Sequence, residues 1–321
     1  MSSLLSPTRA ARRSRLADRL WSWLTRGSGI LVLALLVGIF GELTLGAWPA
    51  LRSFGLGFFT SQSWNPVTEE FGGLTSIYGT LVTSALALAL AVPVSFGIAF
   101  FLAELCPGWL KRPLGTAVEL LATIPSIVYG MWGLFVFAPF LSEHVQPRLT
   151  AWTEGIPGLE VLFGGPPIGI GLFTASLILA IMILPLVASV MRDVFEAVPA
   201  TLKESAYALG ATTWEVVWKV VVPHTRVGLV GAAVLGLGRA LGETMAVTFV
   251  IGNAHNVSPS LFLPGGTISS TLANEFTEAV SEIHTSSLLA LGWALFVLTA
   301  VVLAASRLML RRLARQEAAR P

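Results

Sequence analysis

Between Glu70 and Glu104 the chain runs through 33 consecutive residues with no Asp, Glu, Lys or Arg, and a second run of 31 separates Glu160 from Arg192. A charged side chain at the centre of a bilayer costs about 2.5–3.5 kcal/mol on the lenient insertion scale, and about 20 apolar residues suffice to cross it as a helix. Runs of this length therefore mark membrane spans. Four more follow by the same argument: Ser28 to Trp48 with Glu42 near its far end, the stretch between Arg112 and Glu143, a stretch from about Arg226 that carries Arg239 and Glu243, and the stretch between Glu282 and Arg307. The chain is read as an all-α membrane protein with six transmembrane helices. A soluble fold is excluded, because 12% charged residues is about half of what a soluble domain carries.

Basic residues orient these spans, since cytoplasmic loops carry the excess of Lys and Arg. One side takes the cluster Arg9 to Arg26, Lys111 and Arg112, the group from Arg192 to Arg226, and Arg307 to Arg320; the other has Arg52 and Arg148. Both termini are placed in the cytoplasm of a cell whose plasma (inner) membrane the chain crosses. Residues 1–28 form a basic N-terminal segment, 29–310 the six-helix domain and 311–321 a basic tail, with the two ends expected to be disordered. The basic start resembles a signal peptide, but no clear small-residue cleavage site follows, which favours a retained first helix. The outer loops, roughly Pro49–Thr75, Glu143–Pro167 and Gly252–His284, are read as caps or re-entrant turns. A single cysteine, Cys106, excludes an intramolecular disulfide, and four histidines without ligand spacing suggest no metal site.

The longest inner connection, 192–224, is strongly patterned. Val198, Leu202, Ala206 and Leu209 share a helical face, Gly210 offers a bend, and Trp214, Val217, Trp218 and Val221 resume the spacing. Thr201 with Glu204 and Thr212 with Glu215 each fit the T-x-x-E capping box. Two short amphipathic helices are expected. Helices that lie on lipid headgroups are rich in Lys and Arg, whereas this segment sets Lys203 and Lys219 against four acids, so a protein partner fits better. None of the three lysines stands in G-x-x-x-x-G-K-[ST], so the chain has no P-loop and is not itself an ATPase.

Arg239 and Glu243, four residues apart in the fifth span, are expected on one face of one helix at membrane depth. They suit either an internal salt bridge that fixes packing or a path for an anion, in which the guanidinium fork grips oxyanion oxygens and the carboxylate one turn on weakens that grip. Gly238 and Gly242 are read as a helix-packing pair. Pro93, Pro125 and Pro185 interrupt spans as kinks or hinges. Glu119 is expected to snorkel or pair locally near the inner end of the third span, and Trp21, Trp23, Trp48, Trp109 and Trp132 include interface anchors.

Glu204-Ser205-Ala206, then Gly210, then Val220-Val221-Val222-Pro223 resembles the EAA loop of ABC importer permeases. The resemblance implies the type I importer permease fold, with Glu204, Ser205, Ala206, Gly210 and Pro223 in the element that docks on an ATPase; Ser205 replaces the usual Ala. Trp64-Asn65-Pro66-Val67, Ile77 to Leu81, Ile124 to Gly130 and Gly238-Arg239-Ala240-Leu241-Gly242-Glu243-Thr244-Met245-Ala246-Val247 resemble the permeases of phosphate ABC importers. That likeness implies a PstA-like second permease, two PstB-like ATP-binding subunits holding ATP and Mg, and a PstS-like extracytoplasmic phosphate-binding protein. No cofactor would bind this chain, and Arg239 and Glu243 would belong to substrate translocation. Sulfate or molybdate import and a passive anion channel remain as alternatives. A membrane-embedded hydrolase is disfavoured, since no Ser/Lys, Asp/Asp or His/Glu constellation lies at membrane depth.

Overall fold

The computed structural model describes residues 9–318. Residues 1–8 and 319–321 of the two basic ends, Arg320 among them, lie outside the described residues. Ten helices carry the fold: α1 (Arg9–Phe54), α2 (Leu74–Leu105), α3 (Gly108–Ala122), α4 (Ser126–Thr153), α5 (Leu172–Glu196), α6 (Ala200–Ala208), α7 (Thr213–Leu241), α8 (Met245–Ile251), α9 (Ile268–Glu275) and α10 (Glu282–Ala318). Six of them, α1, α2, α4, α5, α7 and α10, are long and apolar enough to cross a membrane, one in each predicted run.

Helix α5 is the hub. Its span is the most buried of the six, and it packs most extensively against α2. The reason is residue size. Ala87, Ala91, Ser95 and Ala99 recur every four residues on α2, all buried; Ala87 and Ala91 pack with Ala175, Ile178, Leu179, Met182 and Ile183 of α5, and Ala99 packs further along it with Val187 and Met191. Apolar lipid supplies no hydrophobic drive between helices, so close backbone approach along such a stripe is what holds them together. Ser95 adds a hydrogen bond from its hydroxyl to the Leu184 carbonyl at 3.0 Å, beside Pro185. Pro93 and Pro185 both sit within continuing helices.

Three expectations change here. The third span begins only at Ser126, with Pro125 as its N-cap, because Pro disfavours helix at the residue before it. The preceding residues form a separate helix, α3, tied to the inner end of α5 by Lys111–Glu196 at 3.1 Å and Arg192–Glu119 at 2.8 Å. Glu119 is thus paired, though with a partner 73 residues away on another helix and outside the span. The span also runs on through Glu143 to Thr153, so the second outer loop is shorter than predicted. Finally, residues 9–28 and 311–318, expected to be disordered, continue α1 and α10 as helix. Their Ala, Leu and Arg are strong helix formers that propagate a helix already nucleated in the span.

The loops at the end of the bundle where α2 and α5 begin fold back as caps. Trp64–Asn65 pairs antiparallel with Glu70–Phe71 in a small hairpin. The segment after α8 turns at Gly252, φ +88°, and bridges back to Gly265. It is pinned to the start of α5 by Leu172 and Phe173 amides donating to the Leu263 and Leu261 carbonyls. At Gly79 on α2 this segment comes so close that a Cβ would stand 2.1 Å from the Gly266 carbonyl oxygen.

Candidate functional site

The fifth crossing is broken. Helix α7 ends at Leu241 with Gly242 as its C-cap, and α8 starts at Met245. Non-helical backbone at membrane depth persists where it is buried in protein or lines a cavity, and discontinuous helices of this kind form binding sites in transporters. From Arg226 to the break the helix rises about 24 Å, most of the roughly 30 Å hydrocarbon thickness.

Arg239 and Glu243 therefore do not share a helical face, and the expected i, i+4 pair is not formed. Glu243 turns forward: its Oε1 accepts the Ala246 amide at 3.2 Å, satisfying a donor in the first turn of α8. Arg239 stays in the last turn of α7, where its positive charge faces the negative end of the helix dipole, and its side chain is exposed on the bundle surface. Among the described residues no ion pair joins it to an acid. The Tyr129 ring of α4 lies within electrostatic reach of the guanidinium.

Glycines of α4 bring these groups together. A Cβ on Gly130 would fall 3.0 Å from the Ala246 Cα, and one on Gly133 would meet Ile178 and Val250 at 3.0–3.1 Å, so α4 lies directly against α8 and α5. The Ile124-to-Gly130 motif thus starts the span at Pro125, seats it at Gly130 and sets Tyr129, whose hydroxyl donates to the Leu121 carbonyl at 3.0 Å, beside the break. The glycine pair read as a packing motif behaves otherwise. Gly238 has only Leu303 near it, at 3.9 Å, and Gly242 is the cap; the close approach is made by Gly236, where a Cβ would be 2.6 Å from Val187. A separate cavity of about 580 Å³ lies between α2, α7 and α10, lined by residues such as Leu88, Pro93, Leu237 and Val302. It has no charged lining residue and does not include Arg239.

At the end of the bundle where α5 stops, α6 and the start of α7 meet at Gly210, φ +84°, the left-handed conformation that favours glycine. Thr212 and Glu215 form the expected capping box, the Glu215 amide donating to the Thr212 hydroxyl and Glu215 accepting the Thr212 amide. The first box is not formed: Pro199 is the N-cap of α6, so Thr201 already lies within the helix and instead accepts the Ser205 hydroxyl at its carbonyl. The expected apolar face is split. Val198 is buried and Ala206 packs on the core, whereas Leu202 and Leu209 project, Leu209 with 90% of its surface exposed. Glu204, Ser205 and Gly210 are exposed beside them. Pro223 lies apart from this tip, near the start of the α-helical part of α7, directly after a π-helical turn at Val217–Val221.

Two clusters had no signal in the sequence. Lys203 of α6 donates to Glu104, 99 residues earlier in the chain. At the opposite end of the bundle, Glu275 accepts Trp64 Nε1–H at 2.7 Å and makes hydrogen bonds with His255 Nε2 at 2.9 Å and His284 Nε2 at 3.1 Å. Burial pushes the Glu275 carboxyl up, but the hydrogen bonds from His255, Trp64 and His284 outweigh it and leave its pKa below the usual 4.5.

The family model described as a binding-protein-dependent transport system inner membrane component matches residues 95–316, from within α2 to the end of α10. Phosphate transport system permease protein PstC of Mesorhizobium japonicum is 61% identical over 302 residues, 94% of this chain and 92% of that protein. The chain belongs to the PstC permease family. The PstC of Pasteurella multocida is 57% identical, covering 91% of each chain. In solved structures, the permease fold recurs in a bacterial alginate ABC transporter, with TM-score 0.58 and 17% identity over 92% of this chain and 96% of that one. It recurs also in the inward-facing MetNI methionine ABC transporter, with TM-score 0.54 and 20% identity over 75% and 95%. The permease is a multi-pass inner membrane transport subunit.

Proposed function

We propose that this chain is one of two permease subunits of an ATP-driven importer that carries inorganic phosphate from an extracytoplasmic binding protein into the cytoplasm. The observation that carries this reading is Arg239: a permanently charged side chain at membrane depth, exposed beside a helix break and not neutralised by Glu243. An exposed guanidinium is too costly to face lipid, so it faces a second permease subunit or the water-filled path between the two. Its donor fork suits the oxygens of phosphate. The naming of the PstC relatives supports phosphate over sulfate or molybdate.

In this reading both termini are cytoplasmic and a PstA-like chain completes the path. Of two PstB-like subunits, which hold ATP and Mg, one seats on the exposed tip formed by Glu204, Ser205, Leu209 and Gly210, and Ala206 fixes that tip to the core. A PstS-like protein delivers phosphate to the outer caps. ATP-driven closure of the ATPase pair moves α6, the bundle turns outward, and phosphate passes Arg239 before hydrolysis resets the complex. Because Glu243 is occupied as a cap, the guanidinium is free to meet the anion rather than resting on its neighbour.

The test is uptake of labelled phosphate by vesicles holding the four-component complex, with ATP inside and sulfate and molybdate as competitors. ATP-dependent accumulation that resists both competitors and is lost in Arg239→Ala supports the reading. Accumulation of another oxyanion, or flux through this chain that needs neither ATP nor partners, overturns it.

A further inference from the structure

Helix α6 is attached to the membrane bundle at more than its two chain ends. The Lys203 ammonium, one residue before Glu204, turns away from the exposed tip and donates to Glu104 Oε1 and, at 3.4 Å, to the Phe195 carbonyl at the end of α5. Both charges are withdrawn from solvent, the Glu104 side chain 7% exposed and that of Lys203 16%. An ion pair this enclosed is not a surface accident, because desolvating both groups is costly and is offset only by well-placed partners.

Glu104 stands in a π-helical turn, Phe101–Leu105, that ends α2. The neighbouring α7 carries its own π-helical turn at Val217–Val221, and such turns concentrate at functional sites. Between the two turns the joint is filled by aromatic rings: Phe96 stacks on Trp218 at 5.8 Å and meets Phe195 edge-on at 5.5 Å. Four elements, α2, α5, α6 and α7, thus converge on one packed point, and the Glu104–Lys203 pair is the only ion pair among the described residues that joins α6 to another helix.

We infer that the Glu104–Lys203 pair is the link that transmits movement of α6 to α2, so that α2 and α5 turn as one body when the ATPase pair closes. Lys203 and Glu104 are positioning residues and touch no substrate. The inference rests on the reading of α6 as the ATPase-docking helix. Without the link, α6 keeps its chain connections to α5 and α7 and the packing of Ala206, and its displacement is absorbed at the Pro199 and Gly210 bends instead of reaching α2.

The test uses the full complex in vesicles and reads phosphate accumulated per ATP hydrolysed. The neutral pair Glu104→Leu with Lys203→Met keeps the volume and leaves no unpaired buried charge, so the chain folds and assembles. Its transport per ATP is expected to fall at least about fivefold while hydrolysis continues, the lower range of a site-to-site coupling. The exchange Glu104→Lys with Lys203→Glu is expected to restore it. An unchanged ratio in the neutral pair overturns the inference, as does an exchange that rescues nothing, or uptake and hydrolysis that fall together because the ATPase no longer co-purifies.

A second measurement needs no phosphate. Spin labels at the exposed Thr201 and Leu90 positions, in a Cys106→Ser background, hold a constant separation on adding ATP in the native pair and shift in the neutral one. Equal behaviour in both sinks the link. A constant separation in the native pair and a shift in the neutral one, in a complex that accumulates no phosphate, rejects the proposed substrate and leaves the link standing.

Discussion

Arg239 stands in the last turn of the first half of the fifth membrane crossing, and Glu243, four residues later, serves the other half, its Oε1 accepting the Ala246 amide at 3.2 Å. The two charges therefore perform different work and should fail differently. Arg239→Ala removes a donor fork whose charge-assisted hydrogen bonds to an anion are worth about 1.5–3 kcal/mol. It is expected to cut phosphate uptake tenfold or more with no loss of melting temperature. Glu243→Ala is expected to lower stability by about 0.5–2 kcal/mol, the usual range for a lost cap. Uptake and thermal unfolding of each purified variant separate the two.

Gly79 tests the outer cap. A Cβ there would stand 2.1 Å from a backbone oxygen, so Gly79→Ala must displace the Gly265–Thr267 segment. The expected cost is about 1–3 kcal/mol, as for other overpacked sites. Gly97→Ala, in the same helix with nothing within 4 Å, is the control and should be neutral or slightly stabilising. Equal melting temperatures for the two would show that the cap yields freely.

The Glu275 cluster sets an acid limit. Its carboxyl is held below 4.5 in the folded chain, so folding is favoured wherever the group is ionised in both states. The contribution is present above pH 4.5 and is lost as pH falls through the lower, folded value. Hydrogen exchange across residues 268–275 should therefore accelerate below about pH 4.5. Glu275→Gln should show fast exchange at neutral pH and no such acid step. An acid step that survives the substitution assigns it to another group.

At the docking bend, Gly210→Ala forces a Cβ into φ +84°, at a cost of about 1–2 kcal/mol. Nothing lies within 4 Å of that position, so the cost is conformational and not steric crowding from neighbours. ATPase co-purification is expected to weaken in Gly210→Ala and to be retained in Thr212→Ser, which keeps the capping hydroxyl. Retention in both variants would remove Gly210 from the docking element.

Helix period and charge spacing made the six spans legible, because the cost of burying a charge acts at every position along the chain. The patterned loop was legible for the same reason: Gly210 and the Thr212–Glu215 box are local devices whose partners lie within a few residues. What could not be seen was set by distance along the chain or by local competition. Glu104 and Lys203 are 99 residues apart, and nothing in either neighbourhood specifies the other. His255 and His284 looked scattered because their common partner, Glu275, works through hydrogen bonds and not through ligand spacing. The Arg239–Glu243 pair was misread because i, i+4 spacing presumes an unbroken helix. Gly242 broke it, and Glu243 found an unsatisfied amide nearer than a guanidinium.

Where Ala87 and Ala91 meet α5, the contacting methyl groups of α2 have no side-chain torsions to rearrange, and the aromatic contact of Phe96 with Phe195 comes only further along the helix. A contact built from methyl groups cannot creep from one packing to the next. Saturation mutagenesis should record this as two kinds of ground on the same helix: a narrow strip where added volume is refused, and an exposed remainder where Leu90 and Val94 exchange freely with other apolar residues. Sequence drift in such a permease would then be channelled outward, toward its own membrane.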